Sequence, residues 1–258
     1  MTVNFYKYHG TGNDFIIIDN REKTFKIDNK IIEKMCSRRF GIGADGLMLL
    51  ENDSDTDFRM VYFNSDGYEG TMCGNGGRCI VAFANKLGVI KNKTKFIAVD
   101  GIHFAEVNNG LVSLKMLDLD EVKNVKNDYF LNTGSPHYVK FVDNYENVNV
   151  YSEGKAIRNS SAFKAEGTNV NFAQLSGNKI KVGTYERGVE DETYSCGTGV
   201  TAVAICAYLE SDKKINNFDI ETKGGNLNVR FEKNNSFENI WLTGTATFVY
   251  KGEYQINE

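Results

Sequence analysis

Two cysteines stand where a thiol can do chemistry. Cys73 lies in TMCGNGGRCIVAFA, residues 71–84, and Cys196 in YSCGTGVTAVAICA, residues 194–207. Each motif reads Cys-Gly-polar-Gly and then breaks into small and apolar residues, the pattern of a tight glycine turn that opens directly into a buried helix. A thiol at the head of a helix faces free backbone N–H groups and the positive end of the macrodipole. Both favour thiolate over thiol, and the same N–H groups can hold a carboxylate. Taken singly, such a cysteine is as readily a small buried hydrophobe. The motif returns after close to half of the 258 residues, however, which points to two similar halves that each present one cysteine to a shared cleft.

Two opposed thiols suit one kind of reaction. Inverting a carbon acid needs a base on one face and an acid on the other, each about 3–3.5 Å from the carbon, so the sulfurs would face each other across roughly 7 Å. One would be thiolate and the other thiol in each resting form, and which is which stays open. Nothing in the chain signals pyridoxal phosphate, so carbanionic charge would be stabilised by N–H groups aimed at a carboxylate in a closed, dry cleft. The other cysteines, Cys36, Cys79 and Cys206, fall in helix-like apolar patterns where packing is a sufficient role, and they are expected to react slowly. Five cysteines are an odd number for a disulfide framework, and no CxxC or CxxH spacing points to structural zinc.

The elements that must position these thiols can be read from periodicity. Strands are expected at Val3–Tyr8 and Phe15–Asp19, joined by a polar glycine-rich loop, HGTGND, at 9–14. Ile27, Ile31, Ile32, Met35 and Cys36 follow helical spacing behind a possible Asp28 cap, and the helix should stop before GIGADG, 41–46. Leu47–Glu51 and Asp57–Asn64 read as strands, the second entering the FNSDG turn just ahead of the first cysteine motif. A helix over about 74–87 is followed by strands at 95–99, 102–107 and 111–116, the last two joined by an Asn108-Asn109-Gly110 turn. The polar stretch 117–128 is the expected linker. In the second half a strand enters LNTGSPH, 131–137, which holds the single proline. A mixed segment at 148–158 reads as helical, and strands at 167–175 and 179–186 flank a turn at 176–178. Glu186 and Arg187 then head the loop RGVEDETYS that delivers Cys196. The final strand, 247–254, is expected to return to the first half. The fold class expected is α+β (mixed α/β): two pseudo-symmetric domains, each a mostly antiparallel sheet wrapped around a central helix. The domain boundaries expected are 1–117 with 247–258 for the Cys73 half and 118–246 for the Cys196 half.

Composition narrows the partners. With 41% hydrophobic and 25% charged residues the chain has material for real cores, and 30 basic against 34 acidic residues offer no basic face for nucleic acid and no polybasic membrane anchor. The longest apolar run, Val200–Leu209, is too short to span a bilayer, and the N-terminus lacks a signal pattern. A cytoplasmic protein with reduced thiols is expected.

The motifs HGTGNDF, GIGADG, FNSDG, CGNGGRC, GSPH, TNVNF, YERG and SCGTG stand in the order seen in diaminopimelate epimerases, and they cover nearly the whole chain. The chain resembles that family. The resemblance implies a cofactor-independent, two-base epimerisation of LL-diaminopimelate to the meso form, a step of bacterial lysine and peptidoglycan biosynthesis, in an enzyme often assembled as a homodimer. It implies Cys73 and Cys196 as the acid–base pair, and Gly74-Asn75 and Gly197-Thr198 as helix N-terminal contacts to a substrate carboxylate. Asn13, Asn64, Asn169 and Ser135 would be substrate ligands, and Glu186 with Arg187 the charged pair that meets the substrate. His137 and Glu186 resemble the residues that tune the two thiols, and no metal is implied. The chain departs from the pattern at Ser135, where many members have Asn, and at Gly46, where some carry glutamine. The DET segment, 191–193, lengthens the span from YERG to the cysteine.

Read without that resemblance, several of these residues have plainer roles. Asn13 and Asn64 beside Gly or Asp suit turns, Glu186-Arg187 suits a solvated pair, and His137 next to proline suits a turn. Glycines before a helix also cradle phosphate, but no loop has the Lys-Ser/Thr ending of a P-loop. A thiol redox protein would place its cysteines adjacent or as CxxC. CGNG rather than CGHG, together with YERG, separates the chain from proline racemase-like enzymes and from phenazine-biosynthesis isomerases.

Overall fold

The computed structural model describes residues 1–256. The chain divides into two compact units, Met1–Leu114 with Gly244–Glu258, and Lys115–Thr243. Residues 257 and 258, part of the expected N-terminal half, lie outside the described residues.

The first unit begins with β1 (Thr2–Gly10) and β2 (Asn13–Asp19). They form a two-residue hairpin rather than the expected six-residue loop: Gly10 pairs with Asn13, and Thr11 and Gly12 turn with φ of 48° and 87°. The polar residues of HGTGND thus belong mostly to strands, and the Thr-Gly pair supplies the left-handed turn. Next come α1 (Asn29–Cys36), β3 (Gly46–Glu51), β4 (Phe58–Asn64), α2 (Gly74–Lys86), β5 (Lys93–Ala98), β6 (Gly101–Asn108) and β7 (Leu111–Lys115). Asp28 caps α1 by accepting from the Ile31 amide, as its position ahead of the apolar stripe predicts. Pairing alternates along the unit: β1 and β2 are antiparallel, β2 and β3 parallel, β3 and β4 antiparallel, β4 and β5 parallel, β5 and β6 antiparallel. The last strand of the chain, Thr247–Gln255, lies antiparallel against β1 with Thr2 opposite Gln255.

Why β2 and β3 read as unbroken apolar runs is plain from their two covered faces. Ile16, Ile18, Leu47 and Leu49 pack with Ile32 and Met35 of α1, whereas Phe15 and Met48 meet α2 at Gly76. A strand buried on both sides has no polar face to alternate with.

The second unit repeats this order. It contains β8 (Lys123–Val125), β9 (Asp128–Asn132), β10 (Pro136–Phe141), a short 3₁₀ turn (Tyr145–Asn147), α3 (Val150–Arg158), β11 (Asn169–Ser176), β12 (Lys179–Glu186), β13 (Asp191–Thr193), α4 (Gly197–Glu210), β14 (Asn217–Thr222), β15 (Gly225–Lys233) and β16 (Phe237–Thr245), before the final β17 (Thr247–Gln255). Again the pairings alternate: β9 and β10 antiparallel, β10 and β11 parallel, β11 and β12 antiparallel, β12 and β14 parallel, β14 and β15 antiparallel. α3 covers one face through Val150 against Val170, Phe172 and Tyr185, and α4, apolar all round and buried from Val200 to Ala207, fills the other. Each unit is therefore an α+β sheet of mixed pairing with a buried helix on one face and a shorter helix on the other. The helices expected at 27–36 and 148–158 are these shorter ones, α1 and α3, and the central helix expected in each half is α2 or α4.

Two further expectations are corrected. The stretch 117–128 is not a free linker: Leu119 is buried and bridges Phe237, and Lys123–Val125 pairs with β9. Its apolar residues are too sparse to show a stripe, but backbone pairing does not need one. The DET segment is β13, which folds back on β12 with Thr193 opposite Thr184 and Asp191 opposite Glu186, so the added length is absorbed in a hairpin.

Candidate active site

Cys73 and Cys196 are the N-cap residues of α2 and α4. Both have extended backbones, with φ and ψ of −92° and 133° for Cys73 and −124° and 113° for Cys196, and neither side chain caps its helix. Their carbonyls already accept the first helical bonds, from Gly77 at 2.7 Å and from Val200 at 2.9 Å. Each sulfur therefore stands at a helix N-terminus without being consumed in holding it.

Around Cys73, within the first unit, β2 supplies Asn13. Its Oδ1 lies 3.6 Å from the Cys73 sulfur and 3.4 Å from Asn75 Nδ2, while its own Nδ2 donates to Asp45 at 2.6 Å. Asp45 also accepts from the Asp14 amide and from Arg38, so the β2 end is tied to the GIGADG loop. Asp14 is held by Lys7 and Arg38 at 2.7 Å each. Burial pushes the Asp14 carboxyl up, but the bonds from Arg38 and Lys7 outweigh it and bring it to about 2.

Beneath Asn75 lies Arg78, fully buried. One of its guanidinium nitrogens donates to Asn75 Oδ1 at 2.9 Å and to Thr11 Oγ1 at 3.2 Å, and the other to the Gly74 carbonyl at 3.3 Å. No carboxylate among the described residues pairs with it, and its Nε is unsatisfied. Burial lowers its pKa, and the thiols of Cys79 and Cys73 work the other way. A guanidinium is thus built in one turn below the head of α2.

Around Cys196, within the second unit, the polar groups are denser. Thr198 Oγ1 lies 3.5 Å from the sulfur, 2.9 Å from His137 Nε2 and 3.3 Å from Ser135 Oγ. Asn169 Nδ2 donates to Ser135 Oγ at 2.9 Å, and its Oδ1 accepts from the Arg187 amide at 2.8 Å. Thr133 Oγ1 anchors the Thr198 carbonyl at 2.9 Å. His137 is fully buried; that burial, with the Arg187 charge nearby, pushes its pKa down to about 3, so the ring is neutral at physiological pH. Ser135, the departure from the family pattern, is fully engaged here: its hydroxyl links Asn169, His137 and Thr198.

The remaining expected residues are placed as follows. Glu186 ends β12, half-buried, and its carbonyl accepts from the Glu190 amide at 2.8 Å. Arg187 is exposed and gives one bond, from Nη1 to the Glu166 carbonyl at 3.1 Å, leaving most of its fork open. Asn64 is exposed, and its carbonyl closes the turn to Gly67 at 2.9 Å, so its backbone does the turn work that its neighbours suggested. Gly46 has no room for a side chain, since a Cβ there would come 2.5 Å from the Tyr62 ring. Cys36, Cys79 and Cys206 are buried; burial pushes Cys36 and Cys79 up to about 12 and raises Cys206 well above an ordinary thiol. Among the described residues, no group of three His, Cys, Asp or Glu could hold a metal ion, and no helix is long and apolar enough to cross a membrane.

Reading residue by residue missed Asp45, Arg78, Thr11, Asn171, Thr184 and Thr133. Two of them had a signal. Arg78 is the lone charge between glycines and an apolar helical run, and Asn171 shares a strand face with Asn169, two residues before it in a strand whose first five residues are otherwise apolar.

Comparison with known proteins agrees with this geometry. A family model described as diaminopimelate epimerase matches residues 5–107 and 129–249. The chain is 56% identical to a diaminopimelate epimerase of Flavobacterium psychrophilum, covering 95% of this chain and 98% of that one. It is 41% identical to a diaminopimelate epimerase of Chlorobaculum tepidum, covering 94% and 98%. Among solved structures, a phenazine biosynthesis protein of the PhzF family from Bacillus anthracis superposes with a TM-score of 0.79 at 16% identity, over 99% of this chain and all of that one. A hydroxyproline epimerase from Agrobacterium vitis gives a TM-score of 0.67 at 13% identity, over 98% and 92%. These two share the fold. With a cysteine at the N-terminus of each long buried helix and a family model spanning both units, the chain belongs to the diaminopimelate epimerase family.

Proposed function

We propose that the chain epimerises LL-diaminopimelate to meso-diaminopimelate as a PLP-independent isomerase of lysine and peptidoglycan biosynthesis, with Cys73 and Cys196 as its two acid–base groups. One observation carries the reading: each unit sets a cysteine directly ahead of a glycine-led buried helix, and its side chain makes no capping hydrogen bond. The thiolate of one removes the α-hydrogen as a proton, and its electron pair stays on carbon. The thiol of the other then delivers a proton to the opposite face, so the two sulfurs exchange protonation states and the net charge is unchanged.

Backbone N–H groups at Gly74-Asn75 and Gly197-Thr198 meet the α-carboxylate, where negative charge grows as the proton leaves. Asn13, Asn64, Asn169 and Ser135 are read as further substrate ligands, and His137 and Glu186 as the groups that tune the thiols. Arg187 is assigned to the distal carboxylate because its open guanidinium fork matches a carboxylate in two-point contact. Glu186 beside it completes a charged pair for the distal amino acid. We further read the protein as a cytoplasmic homodimer of two pseudo-symmetric halves per chain; five free thiols suit a reducing compartment.

The test is direct. Protein dialysed exhaustively against chelator and incubated with LL-diaminopimelate in deuterated water should exchange the α-hydrogen and yield the meso isomer. A strict requirement for added pyridoxal phosphate, or no exchange at all, would sink the reading.

A further inference from the structure

Asn171 is fully buried on β11, facing the head of α4: a Cβ added at Gly199 would come 2.6 Å from its Oδ1 and 3.2 Å from the Cβ of Cys196. Its amide makes three contacts. Oδ1 accepts from Thr184 Oγ1 at 2.9 Å, Nδ2 donates to the Tyr138 carbonyl at 3.0 Å, and Nδ2 lies 3.1 Å from His137 Nδ1. The Tyr138 carbonyl decides which end of the amide is which, because a carbonyl can only accept and so the atom beside it must carry hydrogens. The second hydrogen of that nitrogen points at His137 Nδ1, which must present a lone pair. The single proton of the neutral ring is then on Nε2.

From Nε2 the bonds run toward sulfur. Nε2–H faces Thr198 Oγ1 at 2.9 Å and Ser135 Oγ at 3.0 Å; Asn169 Nδ2, 3.4 Å from Nε2, donates to Ser135 Oγ at 2.9 Å, and that hydroxyl lies 3.3 Å from the Thr198 oxygen. With Nε2–H donating to its oxygen, the Thr198 hydroxyl can turn its own hydrogen toward Cys196 Sγ, 3.5 Å away.

We propose that Asn171 is a positioning residue for the reaction: by fixing His137 as the Nε2–H tautomer it makes the Thr198 hydroxyl a donor to Cys196 and so favours the thiolate there. This rests on reading Cys196 as an acid–base group. It makes His137 a neutral hydrogen-bond donor and not a base, and it gives Thr184 the task of holding the far end of the Asn171 amide.

The chain holds three histidines, His9, His103 and His137, so nitrogen-15 histidine labelling of the full chain with long-range proton–nitrogen correlation reads each ring, and His9→Asn and His103→Asn assign the signals. At neutral pH, His137 should show a protonated Nε2 and a bare Nδ1; the reverse overturns the proposal. Asn171→Asp sets an acceptor opposite Nδ1. It should draw the proton to Nδ1 and slow iodoacetamide labelling of Cys196 by roughly tenfold, the order expected for one lost hydrogen bond to a charged group. If Asn171→Asp leaves both tautomer and labelling unchanged, the proposal fails; if that variant does not fold, the tautomer of the parent protein decides alone. A protein with the Nε2–H tautomer and slowed labelling, but without α-hydrogen exchange on diaminopimelate, would overturn the functional reading and leave the tautomer assignment standing.

Discussion

Asn13 aims its amide oxygen at the Cys73 sulfur, 3.6 Å away, because the nitrogen of the same amide is pinned to Asp45 at 2.6 Å. The orientation of a residue beside the thiol at the head of α2 is thus set from a loop more than thirty residues downstream. Asp45→Ala should free that amide to rotate. Its side chain is partly exposed, so the fold should survive, while kcat/KM for diaminopimelate falls by about 10–100-fold, as for other small misplacements in an active site. Steady-state kinetics beside a thermal melt will separate the two effects; an unchanged kcat/KM would remove Asp45 from this role.

The five cysteines should divide into two classes. Cys73→Ala and Cys196→Ala should each lose at least ~10²-fold in epimerisation, the lower range for a positioned acid or base. Cys36→Ala, Cys79→Ala and Cys206→Ala should cost stability and keep turnover, since burial holds these thiols protonated and inside the core. Epimerisation rates and iodoacetamide labelling of all five variants form the check. A folded, inactive Cys79→Ala would contradict the assignment.

Arg187→Lys should raise KM and depress kcat together, because an ammonium cannot make the two-point contact of a guanidinium with the distal carboxylate. The Arg187 amide, held by Asn169 Oδ1 at 2.8 Å, is unaffected by the change, so the local backbone should stay in place. Wild-type kinetics in this variant would rule out the distal-carboxylate role.

Stability should fall with acid in two stages. The folded-state pKa of His137 is depressed from 6.5 to about 3, so between those values the unfolded chain binds a proton that the folded chain refuses. Its contribution is complete above about pH 6.5 and is lost as pH drops toward 3, with a slope of at most ~1.4 kcal/mol per pH unit. Asp14, depressed from 3.8 to about 2, contributes above 3.8 and is lost as pH falls toward 2. Urea unfolding at several pH values should therefore show a shallower slope between pH 6 and 4 for His137→Asn than for the parent protein. Equal slopes would mean that His137 is not buried in its neutral form.

Much of this was written locally in the chain. Cys-Gly-polar-Gly ahead of a run of small residues dictates a turn into a buried helix, and Asp28 or the Asn109-Gly110 pair dictates a cap or a turn, because each works through neighbours a few residues away. The two thiols and the α+β order of elements followed from such signals, and the family from their sequence along the chain. What the tertiary structure alone decided are relationships across strands. Nothing local in KVGTYE says that Thr184 holds the amide of Asn171, or in CGNGGRC that Arg78 reaches Thr11 on the β1–β2 turn, for those contacts exist only once β11 lies beside β12 and β1 turns into β2 above α2. The stretch 117–128 misled for the same reason. Pairing of Leu119 with Phe237 is a backbone contact over more than a hundred residues, and backbone hydrogen bonds leave no mark on side-chain periodicity.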